Sequence, residues 1–332
     1  MTRTRIPPWL MVVVILIAFG GGALYVRHFV ENVLKPRQLA QHREKISRDI
    51  ALADEQFRRK RWMAAVQQYQ FVLRAYPSDL DAARRGAIQH RAGAALRQEG
   101  LRKRDKALLD RARTALMEAL TLNDDIAPSV YRETQSELGR LHATYFELSG
   151  DRAALDASLA AWRAALRVTN AAEDPAAYAE IWLQVGNALR SIYEARPESG
   201  DIAPALDAYG RALEVSTQTA DPAGHARAQV ERAAALLAAA PRQSTHRYST
   251  WAADALQQAL TALDGDADRP AYGRAQKLLG DAYMLLASHP PSNLPDNWHY
   301  QHKYRHESLA RRAYELAEQA GVPRGAETKS PN

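Results

Sequence analysis

The 332-residue chain has no cysteine. Disulfides, thiolate metal sites and cysteine nucleophiles are therefore excluded. A cysteine-free chain is compatible with an oxidising compartment without requiring one. The sequence also lacks a phosphate-cradling glycine loop, an H-E-x-x-H zinc helix and a nucleophile elbow. No enzyme chemistry and no cofactor is expected from it. Glycine and proline are modest, at 17 and 16 residues, while alanine, arginine and leucine dominate, which favours helix over sheet. The fold class expected is all-α. Long apolar runs are scarce as well: there is one, at the N-terminus.

That run, Ile6 to Val26, holds 21 uncharged residues. As a helix it would cover roughly 31 Å, about the hydrocarbon thickness of a bilayer. Trp9 and Tyr25 lie near its ends, where amphipathic rings favour the interface. The chain is thus expected to carry an N-terminal tail and transmembrane anchor over residues 1–29. A basic juxtamembrane linker or helix is expected over 30–45, a helical domain over 46–320 and a disordered tail over 321–332. The rival reading is a cleaved signal peptide, with Arg3 and Arg5 as the charged start and Gly21-x-Ala23 as the small-residue site. Ala18 and Gly22 would let copies of the span approach closely and form a homo-oligomer. Positive charge beside the span argues for a cytoplasmic domain. A short Arg-containing tail ahead of a signal-like segment argues for the opposite side, and the expectation is a bacterial inner-membrane protein with its domain in the periplasm.

The net charge is +6. Two stretches carry much of the excess. One is Arg27, Lys35, Arg37, Arg43, Lys45 and Arg48; the other is Arg97, Arg102, Lys103, Arg104 and Lys106. They are read as solvated helix faces, with binding of anionic lipid or another polyanion as the alternative. The aromatic residues lie mostly in packing positions, so base-stacking platforms are absent and nucleic acid is not an expected partner.

A ladder with a 47-residue period runs through the middle of the chain. Pro128, Pro175 and Pro222 obey it, as do Gly139, Gly186, Ala233 and Gly280. Ser158, Ala205 and Ala252 follow it, and so do Ala165, Ala212 and Ala259. Stacked units count in this way because each buries its apolar face only against the next. Asp174, Asp221 and Asp268, also 47 apart, precede helices as caps. This explains the acidic run Asp264–Asp268 better than a calcium loop does: Arg269 stands where the loop needs glycine, and Ala275 where it needs glutamate.

One unit shows the pattern clearly. Trp182-x2-Val185-Gly186-x2-Leu189 lies on one helix and Ala205-x3-Tyr209-x2-Ala212 on the next. This resembles the tetratricopeptide repeat (TPR), W-x2-L-G-x2-Y followed by A-x3-F-x2-A. Similar pairs are Leu52-Ala53 with Ala65-x3-Tyr69, Ala92-Gly93 with Ala112-x3-Leu116, and Leu138-Gly139 with Ser158-x3-Trp162. Ala233 with Ala252-x3-Leu256, and Leu279-Gly280 with Ala310-x3-Tyr314, complete the set. The resemblance implies a right-handed α-solenoid of about six hairpins. It implies small residues where paired helices cross, and an aromatic filling the gap to the next hairpin. The chain departs from the family in spacing: units two to five set the two small positions 19 apart, as in Gly139 and Ser158, against about 12 in the motif. HEAT-type arrays also use repeats of about this length. Arg232 occupies a normally apolar slot and puts the fifth register in question.

The resemblance also implies that peptides or helical segments of other proteins bind the groove lined by the first helix of each hairpin. Its groove slots fall on His90, Arg97, Arg140, Asn187, Arg190, Arg227, Lys277 and Asp281. Such a groove would be net basic and suit an acidic segment or a C-terminal carboxylate. The chain is therefore expected to be a membrane-anchored scaffold or adaptor. The other distinctive stretch is Ser288–His306, with Trp298, Tyr300 and Tyr304, read either as a partner-binding insertion or as a cap on the last hairpin. Within it His299, His302 and His306 share one helix face. Imidazoles so placed can bind a transition metal, but no further ligand is near in sequence, and a solvent-facing cluster without metal is expected.

Overall fold

The computed structural model describes residue 31 and residues 35–122, 128–196, 200–291 and 295–324. The expected span at residues 6–26 lies outside these. Among the described residues no helix is long and apolar enough to cross a membrane.

All regular structure among the described residues is helical. Six consecutive helix pairs follow one another: α1 (Lys35–Arg58) with α2 (Trp62–Ala75), α3 (Ala82–Lys103) with α4 (Lys106–Leu122), and α5 (Pro128–Ser149) with α6 (Arg152–Arg167). Then come α7 (Pro175–Ala195) with α8 (Ala203–Val215), α9 (Pro222–Ala239) with α10 (Thr245–Ala262), and α11 (Arg269–Ser288) with α12 (Asp296–Gln319). Each helix packs chiefly on its neighbours in sequence, and the odd-numbered helices also touch one another from α3 to α5 and from α7 through α9 to α11. The architecture is that of a helical-hairpin array, as the ladder predicted.

Local chemistry sets the helix starts. Asp174, Asp221 and Asp268 each cap a helix, accepting the backbone N–H of Ala177, Gly224 and Ala271 at 3.0, 3.0 and 3.4 Å. Proline follows in the first turn, where its missing N–H costs nothing. Asp264 accepts from its own turn, at Asp266 N and Ala267 N.

The core is made where the two helices of a hairpin cross. A Cβ placed on Gly139 would stand 2.5 Å from the Trp162 ring; on Gly186 it would stand 2.6 Å from Tyr209, and on Gly280 2.6 Å from Tyr314. Gly93 meets Leu116 in the same way, at 2.7 Å. Ser158 donates to the Gly139 carbonyl at 2.8 Å across the same crossing. The small residue and the aromatic are thus one contact within a hairpin. The aromatic occupies the space the glycine vacates and also shares a buried cluster with the next hairpin, Trp162 with Ile181 and Val185, and Tyr209 with Ala233 and Leu236. The fifth hairpin keeps register, since Ala233, Ala252 and Leu256 are all fully buried. Arg232 stands at the edge of that contact beside Trp251 and Asp254.

α1 begins at Lys35, inside the stretch expected as a basic linker or helix, and the C-terminal boundary moves. Residues 321–324 are packed rather than disordered: Val322 lies against Gly273 and Arg324 stacks over the Tyr314 ring at 4.4 Å. Residues 325–332 lie outside the described residues.

Candidate functional site

The odd-numbered helices align the expected groove residues along one side of the array, but they do not leave them as free cations. Arg97 on α3 is buried, and its Nε donates to Glu137 of α5 at 2.5 Å. Arg140 donates to the other oxygen of Glu137 at 3.1 Å and lies 5.4 Å above the Trp162 ring. Burial works against the Glu137 carboxylate, but Arg97 and Arg140 outweigh it and hold its pKa below the usual carboxylate value. His90 faces the same place, at 3.2 Å from the Thr134 hydroxyl. Burial pushes its pKa down, so it is neutral.

A second junction repeats this chemistry. Glu231 on α9 receives Arg190 of α7 at 3.3 Å and also pairs with Arg274 of α11, so one carboxylate ties three successive hairpins. Arg190 also pairs with Glu194 at 2.9 Å. Arg227 reaches back from α9 to Glu180 of α7 at 2.5 Å, and Arg132 of α5 pairs with the cap Asp174 at 2.8 Å. Lys277 pairs with Asp281 along α11 at 3.0 Å.

Asn187 and Asp281 turn out to serve the helix crossings. Each follows the small residue of its hairpin. Asn187 accepts the Tyr209 hydroxyl at 2.9 Å and Asp281 accepts that of Tyr314 at 2.8 Å. Asp54, after Ala53, does the same for Tyr69 at 2.6 Å. Buried phenols need such acceptors, and this slot supplies them.

The net-basic groove expected from the sequence is therefore corrected. Arg97, Arg140, Arg190, Arg227 and Lys277 all meet carboxylates from the same side of the array. What remains is a polar, charge-compensated surface with a cavity of ≈300 Å³ among α3, α5 and α7, lined by His90, Arg132, Glu133, Glu137, Arg140, Trp162 and Glu180 among others. A larger concavity of ≈590 Å³ lies between α2, α3 and α4, with Leu73, Leu96, Arg111, Arg113 and Glu118 in its walls. The sequence reading did not find it, because it forms between two hairpins, where Ala92 and Leu96 of α3 meet Leu73 of α2 and Arg111 of α4. The basic run after Arg97 is also partly neutralised: Arg102 and Lys103 both hold Glu99, at 2.6 and 3.0 Å. Arg102, with help from Lys103, draws the Glu99 carboxyl down to about 2 against its burial.

The last helix divides its roles by face. Trp298, Tyr300 and Tyr304 are 55%, 73% and 67% exposed. His302 and His306 turn the other way, towards α10 and α11: the His302 ring lies 6.0 Å from His246 and the His306 ring 6.0 Å from Tyr283. The two readings of this stretch meet here, with a capping inner face and an aromatic outer face. The solvent-facing histidine cluster expected from the sequence is corrected. Among the described residues no group of three or more histidine or carboxylate side chains is arranged to hold a metal ion.

No protein family matches the chain in a scan of family profiles, and no curated protein matches it. Among solved structures, the crystal structure of BtubC (BKLC) from P. vanneervenii is similar at 17% identity. The likeness covers 86% of this chain and 97% of that one, with a TM-score of 0.47.

Proposed function

We propose that the chain is a membrane-anchored, non-catalytic scaffold of the TPR type. In this reading residues 6–26 fix it to a bacterial inner membrane, with the hairpins on the periplasmic side, and the array recruits or organises other proteins. The observation that carries this reading is the repeated crossing of a glycine under a bulky side chain, in the hairpins of Gly93, Gly139, Gly186 and Gly280. These crossings consume the ladder residues in folding and leave the exposed faces of the odd-numbered helices outside them. Charge compensation along that side favours a polar partner segment with charges of both signs over a purely acidic one. The pairing of Arg102 and Lys103 with Glu99 removes much of the charge that a polyanion binder would use.

Arg140 and Arg227 are accessible cations of the odd-numbered helices, as is Arg274, their side chains 41%, 55% and 48% exposed. Affinity capture from membranes with the Arg140→Gln and Arg227→Gln double variant, beside the unaltered chain, tests the reading. Partners captured by the unaltered chain are expected to fall at least several-fold in the variant, with helicity unchanged. Identical partner sets in equal yield would remove the odd-helix side as the binding surface.

A further inference from the structure

The spacing of His299, His302 and His306 puts them on one side of α12, and the fold brings histidines from elsewhere to meet them. His246, at the start of α10, stands 6.0 Å from His302 between ring centroids, and His302 stands 4.2 Å from His306. Two of these rings are fixed by backbone carbonyls. His306 Nδ1 lies 2.8 Å from the His302 carbonyl, and His246 Nδ1 lies 3.2 Å from that of His289. A carbonyl only accepts, so each Nδ1 carries the proton, and the neutral ring keeps its lone pair on Nε2. His302 Nδ1 is enclosed and has no partner. A neutral ring can leave that nitrogen as a bare lone pair, whereas an imidazolium would bury an N–H with nothing to accept it.

The surroundings are one-sided. On α12 the groups bearing on His302 are His306, His299 and Arg305; on α10 the group is His246. Each is cationic or becomes so on protonation. α10 also carries Arg247, which stacks over the Trp251 ring at 5.2 Å. From α11 come Tyr283, whose hydroxyl accepts from Gln257 at 2.8 Å, and His289, whose Nδ1 faces the Leu285 carbonyl at 3.2 Å. Glu307 of α12 lies towards Lys303, at 3.9 Å.

We infer that this histidine stack is an acid-operated latch: neutral imidazoles hold the first half of α12 against α10 and α11, and their protonation releases it. Burial and the neighbouring positive charges set the His302 pKa below its ordinary value of 6.5 in the closed form. The closed form therefore binds fewer protons than the open one. Its stability is complete above about pH 6.5 and is lost as the pH falls below that value. Release would uncover Tyr283 and free the helix that bears Trp298, Tyr300 and Tyr304, changing the end of the array that a neighbour would meet.

Hydrogen exchange of the full-length protein in detergent or membranes tests the latch. Amides of residues 298–306 are expected to exchange at least several-fold faster at pH 5.5 than at pH 7.5 after correction for intrinsic rates. Amides of α7 and α8 should show no such change. In the His246→Phe, His302→Phe variant, which keeps ring packing without titration, the change should fall below about twofold. A wild-type segment equally protected at both pH values, or an equal rise in the variant, overturns the proposal. Should the variant not fold, the absence of cysteine offers a second readout. A spin label on Tyr300→Cys should pass from restricted to mobile with a midpoint below pH 6.5, and an unchanged spectrum down to pH 5 overturns the latch equally.

Discussion

Replacing Glu137 by leucine is expected to destabilise the protein by about 3–5 kcal/mol, the usual cost of removing one partner from a buried ion pair. Arg97 and Glu137 have side chains only 9% and 8% exposed. The variant leaves the Arg97 guanidinium enclosed without its carboxylate, and Arg140 loses its partner too. A leucine adds apolar burial of about 2 kcal/mol at most, too little to offset a stranded cation. The informative companion is Arg97→Met with Glu137→Leu. Removing both charges should recover most of the loss, and the double variant should match or exceed the unaltered chain, because desolvation of the pair consumes much of its Coulombic attraction. Chemical denaturation followed by far-UV circular dichroism measures both. Equal losses in the single and double variants would show that shape rather than charge compensation governs this junction.

Gly186→Val is expected to cost about 2–3 kcal/mol although it improves intrinsic helix propensity. The propensity gain is a few tenths of a kcal/mol. Against it stands a collision: the new Cβ would lie 2.6 Å from the ring of Tyr209. Tyr209 is fully buried, and its hydroxyl is held by Asn187 at 2.9 Å, so the ring has nowhere to move. Overpacking of this kind outweighs propensity. Gly210 provides the contrast, since a Cβ there meets nothing within 4 Å. Gly210→Ala should therefore stabilise by up to about 1 kcal/mol. Opposite signs at two glycines of one hairpin would separate the crossing contact from a general effect of glycine in helices; a stable Gly186→Val protein would contradict the proposed crossing.

Much of the fold was legible because the residues that define it are local and repeated. Proline after aspartate at a fixed interval marks helix starts, and alanine or glycine opposite an aromatic marks crossings. The candidate surface was less legible. Groove slots name which residues lie on a side, but whether a cation is available depends on a carboxylate about 40 positions away. Glu137 and Glu231 lie two residues before the ladder positions Gly139 and Ala233. Their role required knowing that neighbouring hairpins place them against Arg97 and Arg190. Asn187 and Asp281 were misread for a related reason: their position after the small residue serves the buried phenol of the same hairpin. The inward turn of His302 and His306 was hidden too, because His246 is 56 positions from His302 in sequence. The spacing of three and four residues fixed a shared side of α12 without saying what that side faces.

These corrections give the array a definite polarity of roles. Ladder residues make the crossings and bridging carboxylates fix how successive hairpins meet; the scaffold proposal assigns the exposed remainder of the odd-numbered helices to partners. The most direct measurement is photo-crosslinking in intact membranes, with a benzoylphenylalanine placed at Arg227 on odd-numbered helix α9 or at Met117 on even-numbered helix α4. Both positions are about half exposed, so reactivity alone does not favour either. The scaffold account predicts discrete protein adducts from position 227 and few or none from 117. Adducts from 117 alone, or none from either position, would contradict it.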